Sequence, residues 1–169
     1  MNERWDIVDE HGRPTGKVID AGGAMLPGEY HRAVSVWLRS GRGEYLISQR
    51  APQSDALPGI WETTSGSVIS GESSLQAAAR ETKEELGIDI DLASASLFCS
   101  YPWPMSNGKG SVFYDVWLFP CSAKISQIRL QPGETSAAMW ASPETLRAMI
   151  AQKQFVPYTY LEDLFHTAL

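Results

Sequence analysis

Three glutamates are spaced so that their side chains can act together on one face of a predicted helix. Residues 73–86 have helical periodicity, and Glu81, Glu84 and Glu85 stand at positions i, i+3 and i+4 within them. Like charges at this spacing repel by roughly 0.2–0.5 kcal/mol per pair, so the cluster favours a counter-charge. Carboxylate oxygens that a helix holds rigidly are suitable ligands for Mg²⁺ or Mn²⁺. The alternative interpretation is an acidic helix face that is simply solvated.

The predicted helix has recognisable signals at both ends. Ser73 and Gln76 stand at the two positions of a capping box, and Gly87 stands where a helix commonly ends. The helix would bury one side on a sheet through small and apolar residues, namely Leu75, Ala78, Ala79, Thr82 and Leu86. The acidic face then points to a different side.

The remaining elements are a mixture of short strands and helices. Strands are predicted at residues 5–8, 33–38, 44–48, 61–69, 95–99, 112–119 and 137–140. Further helices are predicted at residues 142–152 and 158–168, and loops at residues 21–28, 51–59 and 102–110, the last containing Trp103. Such a mixture favours an α+β fold or a helix–sheet–helix sandwich over a doubly wound parallel sheet.

Composition limits the classes of partner. The chain has 169 residues, 43% of them hydrophobic, and a formal net charge of −6, which predicts one domain with a real core. An acidic chain is a poor match for a nucleic-acid polymer, but a bound cation can still attract a small phosphorylated substrate. No apolar run approaches the ~20 residues that span a bilayer, and no signal peptide is recognisable. We therefore expect a cytoplasmic protein that does not associate with a membrane. Cys99 and Cys121 read as reduced thiols.

The segment from Gly66 to Ile88 carries a longer pattern around the three glutamates. It resembles the Nudix box, G-x5-E-x7-R-E-U-x-E-E-x-G-U, where U is an apolar residue. All seven fixed positions match: Gly66, Glu72, Arg80, Glu81, Glu84, Glu85 and Gly87. Thr82 departs from the first U, and we expect that change to affect packing rather than chemistry. Because of this match, metal binding is a better interpretation of the three glutamates than a solvated acidic face.

The resemblance extends beyond the box and favours one branch of the family. Residues 30–38, 49–50 and 57–61, together with Trp140, are similar to the branch related to isopentenyl diphosphate isomerase. The likeness covers roughly residues 4–165. It implies a single Nudix hydrolase domain over residues 1–169, with an α/β/α sandwich built on a mixed sheet. It leaves a homodimer open, because many family members are dimers.

A divalent-metal site is the first implication of the resemblance. Its candidate ligands are Glu72, Glu81, Glu84, Glu85 and the carbonyl oxygen of Ser65. Glu81 and Glu85 are expected to bind the metal directly, and Glu84 directly or through water. Arg80 is expected to pair with a carboxylate and fix its orientation. The resemblance therefore implies Mg²⁺ as cofactor, with Mn²⁺ as an alternative.

Hydrolysis at a diphosphate is the second implication, with Arg80, Glu84 and Glu85 as catalytic residues of the box. Many family members also use an acid outside the box as base, and Glu134 is the first candidate here. Asp115 is the second candidate, unless hydrogen bonds make it structural, and Glu62 is the third. The carboxylate would accept the proton of a metal-bound water as it attacks phosphorus.

Three further residues are candidates for contact with a small phosphorylated substrate. Arg50 could bind phosphate, or could form a structural salt bridge. His31 could lie near the pocket, although a hydrogen-bonded strand histidine is the simpler interpretation. Trp103 could stack on a flat group, or could serve aromatic packing between loops.

Two other functions remain alternatives. The isomerases of the family use a cysteine before the box glycine, a histidine after it and a lysine upstream, where this chain has Ser65, Ser67 and Ser54. A serine hydroxyl is too weak an acid to replace the thiol. A non-catalytic ligand-binding module is the other alternative, but such modules usually lose the box glutamates that this chain retains. We therefore favour hydrolysis.

Overall fold

Nine strands of the described residues form one mixed sheet with helices on both faces. The computed structural model describes residues 3–54, 57–104 and 111–167. The strands are β1 (Arg4–Val8), β2 (Pro14–Asp20), β3 (Tyr30–Arg39), β4 (Tyr45–Arg50), β5 (Trp61–Glu62), β6 (Thr64–Ser67), β7 (Ser96–Trp103), β8 (Val112–Pro120) and β9 (Thr135–Ala141). The helices are α1 (Ser74–Leu86), α2 (Pro143–Ala151) and α3 (Leu161–Phe165). Among the described residues, no helix is both long and apolar enough to cross a bilayer.

Strand β3 is the centre of the sheet. It pairs in parallel with β8 along nearly its whole length, and antiparallel with β1, β4 and β6. Its side chains are buried on both faces, which explains why residues 33–38 read as a continuous apolar run. Val36 packs in the core beneath α1, whereas Trp37 packs in the core beneath α2 and α3. The predicted α+β sandwich with a mixed sheet is confirmed.

Helix α1 begins and ends where its sequence signals predict. The Ser73 hydroxyl accepts a hydrogen bond from the Gln76 backbone N–H, and the Gln76 side chain accepts one from the Ser73 backbone N–H. Gly87 takes a left-handed conformation with φ of 70°, and its N–H donates to the Lys83 carbonyl. Local hydrogen bonds therefore fix both ends of the helix, in agreement with the predicted capping box and C-cap.

The buried face of α1 differs from its predicted face at two residues, Ala77 and Ala79. Ala77 is fully buried, whereas Ala79, expected on this face, is partly exposed. Thr82 is also fully buried, and its hydroxyl donates to the Ala78 carbonyl at 2.8 Å. The departure from the box pattern at Thr82 therefore lies on the packing face, and its polar atom is satisfied within the helix.

Three sequence predictions of secondary structure were wrong. Strand β2, at the sheet edge, was not predicted, because Pro14 and Gly16 weaken its strand signal. Strand β7 continues to Trp103, a residue of the predicted loop at 102–110. Among the described residues β7 pairs with β8 alone, and an edge strand tolerates Pro102. The last helix is shorter than predicted: it begins at Leu161, and Tyr158 precedes it with its ring packed against Trp37. Residues 105–110 of the predicted loop and Ala168 lie outside the described residues.

Candidate active site

The start of the site is a close contact between strand β6 and helix α1. Gly66 lies on β6 opposite Val34 of β3, and the Glu81 side chain crosses directly over it. A Cβ atom at this position would lie 2.0 Å from the carboxyl carbon of Glu81. Only glycine therefore leaves room for the Glu81 carboxylate, which explains the need for glycine at this position.

Arg80 holds the loop before α1 against the helix. Its Nε and Nη2 donate to the two carboxylate oxygens of Glu72 at 3.0 and 3.1 Å, and Nη2 also donates to the Ser67 carbonyl. Its Nη1 donates to Glu81 at 2.7 Å and to Glu84 at 3.2 Å. Burial lowers the pKa of Arg80, but its carboxylate partners outweigh that effect and the net pKa is raised. Arg80 thus orients carboxylates, as the resemblance implies.

Glu81 and Glu85 are held where their negative charge is unfavourable. Burial raises the pKa of Glu81 to about 7, with a further contribution from Glu84, although Arg80 opposes the change. Burial also raises the pKa of Glu85 to about 8, and the charges of Glu62, Glu81 and Glu134 add to the effect. A bound cation would relieve both costs, because it favours the ionised carboxylates.

Glu134 reaches Glu85 because its segment docks on the end of α1. The backbone N–H groups of Arg129 and Gln131 donate to the last carbonyls of the helix, those of Leu86 and Glu85, at 2.9 and 3.1 Å. The Gln131 amide then donates to the Glu134 carboxylate at 2.9 Å. This capping of the helix carbonyls brings together Glu85 and Glu134, which are nearly fifty positions apart in the sequence.

A cavity of about 310 Å³ lies beside these carboxylates, and we call it the carboxylate cavity. It is lined by Ser48, Arg50, Gln53, Ser54, Glu62, Glu85, Gly133, Glu134 and Thr135. The Arg50 guanidinium pairs with Glu62 at 2.7 Å, and burial raises the pKa of Glu62 although Arg50 opposes it. The structure therefore brings together Arg50, Glu62, Glu85 and Glu134 from four separate stretches of sequence.

Asp115 and His31 lie elsewhere. Asp115 accepts hydrogen bonds from Arg32 at 2.5 Å and from the Ser100 hydroxyl at 2.6 Å, and its side chain is only 4% exposed. His31 stacks on Trp5 with ring centroids 4.0 Å apart, and burial lowers its pKa to about 4. Neither residue lines the carboxylate cavity. The hydrogen bonds of Asp115 support the structural alternative, and His31 is a buried strand histidine.

A second cavity, of about 330 Å³, lies on the other side of Glu62, and we call it the aromatic cavity. Trp103 is on its rim with 49% of its surface exposed, and Ser65, the candidate carbonyl ligand, lies in its wall. Tyr114 and Tyr158 complete the aromatic walls, although sequence reasoning did not single them out. Side chains alternate between the two faces of a strand, so the position of Tyr114 on β8 could have indicated that it faces this cavity. The position of Tyr158 depends on long-range packing, which leaves no such signal.

The donors fit a hard divalent cation in their chemistry. Carboxylate oxygens are the preferred ligands of Mg²⁺ and Mn²⁺. The Glu81 carboxylate lies in the space that Gly66 leaves open by having no side chain. Within the described ranges, no three acidic, histidine or cysteine side chains are grouped tightly enough to hold an ion as they stand. Arg80 forms ion pairs with Glu72 and Glu81, and Arg50 forms one with Glu62. These carboxylates are therefore held by arginines rather than grouped together.

Comparison with known proteins identifies the family. A model of the NUDIX domain matches residues 29–163, a range that includes every residue lining the two cavities. The chain therefore belongs to the Nudix family and is a Nudix pyrophosphohydrolase. Hydrolases of this family generally use divalent metal ions.

Relatives of similar length support both the family and its branch. The chain is 34% identical over 165 residues to an uncharacterized Nudix hydrolase of Listeria monocytogenes, covering 97% of this chain and 94% of that protein. It is 33% identical over 153 residues to the isopentenyl-diphosphate Delta-isomerase of Streptomyces coelicolor, covering 89% and 76%. The crystal structure of DR0079 from Deinococcus radiodurans superposes with a TM-score of 0.73 at 27% identity, covering 96% and 97% of the two chains. The expected branch and fold are confirmed.

Proposed function

We propose that this protein is a Mg²⁺-dependent hydrolase that cleaves the diphosphate linkage of a nucleoside diphosphate derivative or a similar small pyrophosphate. The observation that carries the proposal is the burial of Glu85 near the charges of Glu62, Glu81 and Glu134, beside a cavity that Arg50 also lines. Family membership gives the reaction class, and the positions of these residues support the carboxylate cavity as its location.

Glu81 and Glu85 are the residues that would hold the metal, because burial and neighbouring charges penalise their ionised forms without a cation. Glu84, the most exposed of the three, would join them directly or through water. Glu72 keeps Arg80 in place, and the Ser65 carbonyl remains a candidate ligand next to Gly66. A bound Mg²⁺ or Mn²⁺ supplies charge neutralisation at phosphate and a water of lowered pKa.

Glu134 is our candidate for the general base. It lies in the wall of the carboxylate cavity, and its described partner is the neutral Gln131 amide. Glu62 is less suited to this role because Arg50 already holds its carboxylate. Glu134 would accept the proton of the attacking water, and Arg50 would hold the phosphate group that the water attacks.

The proposal is tested by incubating the protein with a panel of diphosphate compounds, with Mg²⁺, with Mn²⁺ and with chelator. Both leaving fragments are identified by chromatography, because they show which bond was cleaved. We expect metal-dependent release of two phosphorylated fragments from at least one compound. Ligand binding without any turnover would instead favour a non-catalytic module.

An isomerase-like activity is the second candidate, since a relative with that name is 33% identical to this chain. The side chain at the position before the box glycine is a serine, Ser65, whose hydroxyl cannot replace a thiol as acid. Cys99 and Cys121 pack against the two cores instead. Incubation with isopentenyl diphosphate should yield no appreciable dimethylallyl diphosphate, and its formation would overturn the hydrolase proposal.

A further inference from the structure

The aromatic cavity differs in character from the carboxylate cavity that adjoins it. The rings of Tyr101 and Tyr114 are stacked at 5.5 Å between centroids, and Tyr158 and Trp103 contribute further aromatic walls. Glu62 lines both cavities, so the two spaces share one wall residue. A molecule that extends past Glu62 therefore meets polar walls at one end and aromatic walls at the other.

Charge is the property that most clearly separates the two spaces. Among the described residues that line the aromatic cavity, none is Lys, Arg or His, and the one charged residue is Glu62. Placing an anionic group there would remove it from water beside a carboxylate, with no cationic side chain among the described lining residues to balance it, which is strongly unfavourable. The hydroxyl groups of Ser35, Ser65 and Thr159 can still hydrogen-bond to a neutral polar group.

We infer that the aromatic cavity binds an uncharged, ring-bearing group of the substrate while the diphosphate lies in the carboxylate cavity. The inference rests on the proposed function for the position of the diphosphate. The ring would stack on the aromatic walls, and Trp103 would cover it at the exposed rim. A substrate whose ring carries a further anionic group would be rejected by this cavity.

The inference is tested with three non-hydrolysable probes, so that binding is measured without turnover. They are the methyl, 2-phenylethyl and 2-(4-phosphonophenyl)ethyl esters of methylenediphosphonate, titrated by calorimetry in Mg²⁺. We expect the phenylethyl probe to bind about tenfold more tightly than the methyl probe, as one stacked ring typically gives. The phosphonophenyl probe should lose this gain.

Substitutions test whether the preference for the phenylethyl probe arises in the aromatic cavity. Trp103→Ala should reduce the ratio of phenylethyl to methyl affinity by at least about threefold, since a wall for the ring is removed. Leu97→Ala, on the same strand but outside the cavity, removes an equally exposed side chain and should leave the ratio unchanged. Thr159→Arg should restore binding of the phosphonophenyl probe, whereas Thr159→Gln should not.

The outcomes separate this inference from the proposed hydrolysis. A phenylethyl preference that Trp103→Ala reduces supports the inference even if no diphosphate in the panel is cleaved. Equal binding of the methyl, phenylethyl and phosphonophenyl probes would overturn it even if hydrolysis is observed. A preference that survives Trp103→Ala and is unaffected by charge at Thr159 would also overturn it.

Discussion

At the scale of single residues, the site places carboxylates where their charge lowers the stability of the protein. Because the pKa of Glu85 is raised to about 8, the folded state binds its proton more tightly than the unfolded state does. Without metal, the contribution of this residue to stability therefore falls as the pH rises from the ordinary carboxyl range to about 8. Such a cost is typical of a functional group rather than of a structural one.

Replacing Glu85 by Gln should separate catalysis from stability. We expect kcat to fall by about 100-fold or more, because a metal ligand and its charge are lost. In metal-free buffer at pH 8.5, Tm should rise, because the amide removes a buried charge that has no counter-ion. Steady-state kinetics and thermal unfolding measure the two effects.

Glu144→Gln is the matched control for Glu85→Gln, because Glu144 is an exposed helical glutamate outside both cavities. It should leave kcat within about twofold of the parent value, as expected for a surface substitution. A Glu85→Gln protein that keeps full activity would show that the metal site has been misplaced.

His31 should make the protein sensitive to mild acid. Burial lowers its pKa to about 4 from 6.5, so the unfolded chain binds the proton more tightly than the folded protein. Its contribution to stability is complete above pH 6.5 and is lost as the pH falls to about 4, amounting to about 3 kcal/mol. Urea unfolding of His31→Phe, which keeps the ring stacked on Trp5, should show a weaker pH dependence over this range.

The exposed residue His11 is the control for this effect, since its side chain is 63% exposed. His11→Gln should keep the pH dependence of the parent protein between pH 7 and pH 4. If His31→Phe and the parent lose the same free energy of unfolding on acidification, the assignment to His31 is wrong.

At the scale of elements, the contact between β6 and α1 sets the position of the Glu81 carboxylate, a proposed metal ligand. Gly66→Ala would place a methyl group on the Glu81 carboxyl, so the side chain or the helix must move. We expect a fall in kcat of about tenfold or more and weaker Mn²⁺ binding, since small displacements at a site are costly. Kinetics and Mn²⁺ titration measure these changes.

Gly41→Ala is the control at this scale, because an added Cβ there would meet no atom within 4 Å. It should leave Mn²⁺ affinity and kcat unchanged. Equal activity of Gly66→Ala and the parent would contradict the close packing of Glu81 on β6.

Elements whose signals are local could be predicted from the sequence. Helix α1 has both caps within its own residues, and β3 has a continuous apolar run, so both were found. The acidic face of the helix, which we propose binds the metal, followed from the same periodicity and from the family pattern. Strand β2 was missed because an edge strand needs little apolar alternation, and its stability comes from pairing with β1.

Features that depend on distant parts of the chain were beyond prediction. The role of Asp115 is set by Arg32, which lies on a neighbouring strand and far away in sequence. The nearness of Glu134 to Glu85 comes from the docking of residues 129–131 on α1. Neither contact leaves a pattern in its own segment, so family resemblance could suggest Glu134 but could not place it.

At the scale of the whole molecule, Arg32 ties the N-terminal turn to the central strands. It donates to the Gly12 carbonyl and to Asp115, and Asp115 in turn accepts from Ser100 on β7. Asp115→Asn should destabilise the protein by about 3 kcal/mol, because the partly buried Arg32 loses its counter-charge. Chemical denaturation measures the loss.

Activity distinguishes this structural role from the role of a base. The folded Asp115→Asn protein should keep kcat within about twofold at 20 °C, as for a residue outside the reaction. A fall in kcat of about 100-fold, with folding intact, would return Asp115 to the catalytic candidates. The single domain over residues 1–169, the homodimer and the cytoplasmic location stay predictions.

The parallel ladder between β3 and β8 has a consequence for how the protein acquires its activity. Paired residues such as His31 and Val112 are about eighty positions apart, so the ladder closes a long loop that contains the box. Closing long loops slows folding, because the entropy is lost before the contacts form. On a nascent or refolding chain, the helix can form early while the enzyme stays inactive until this late pairing is complete.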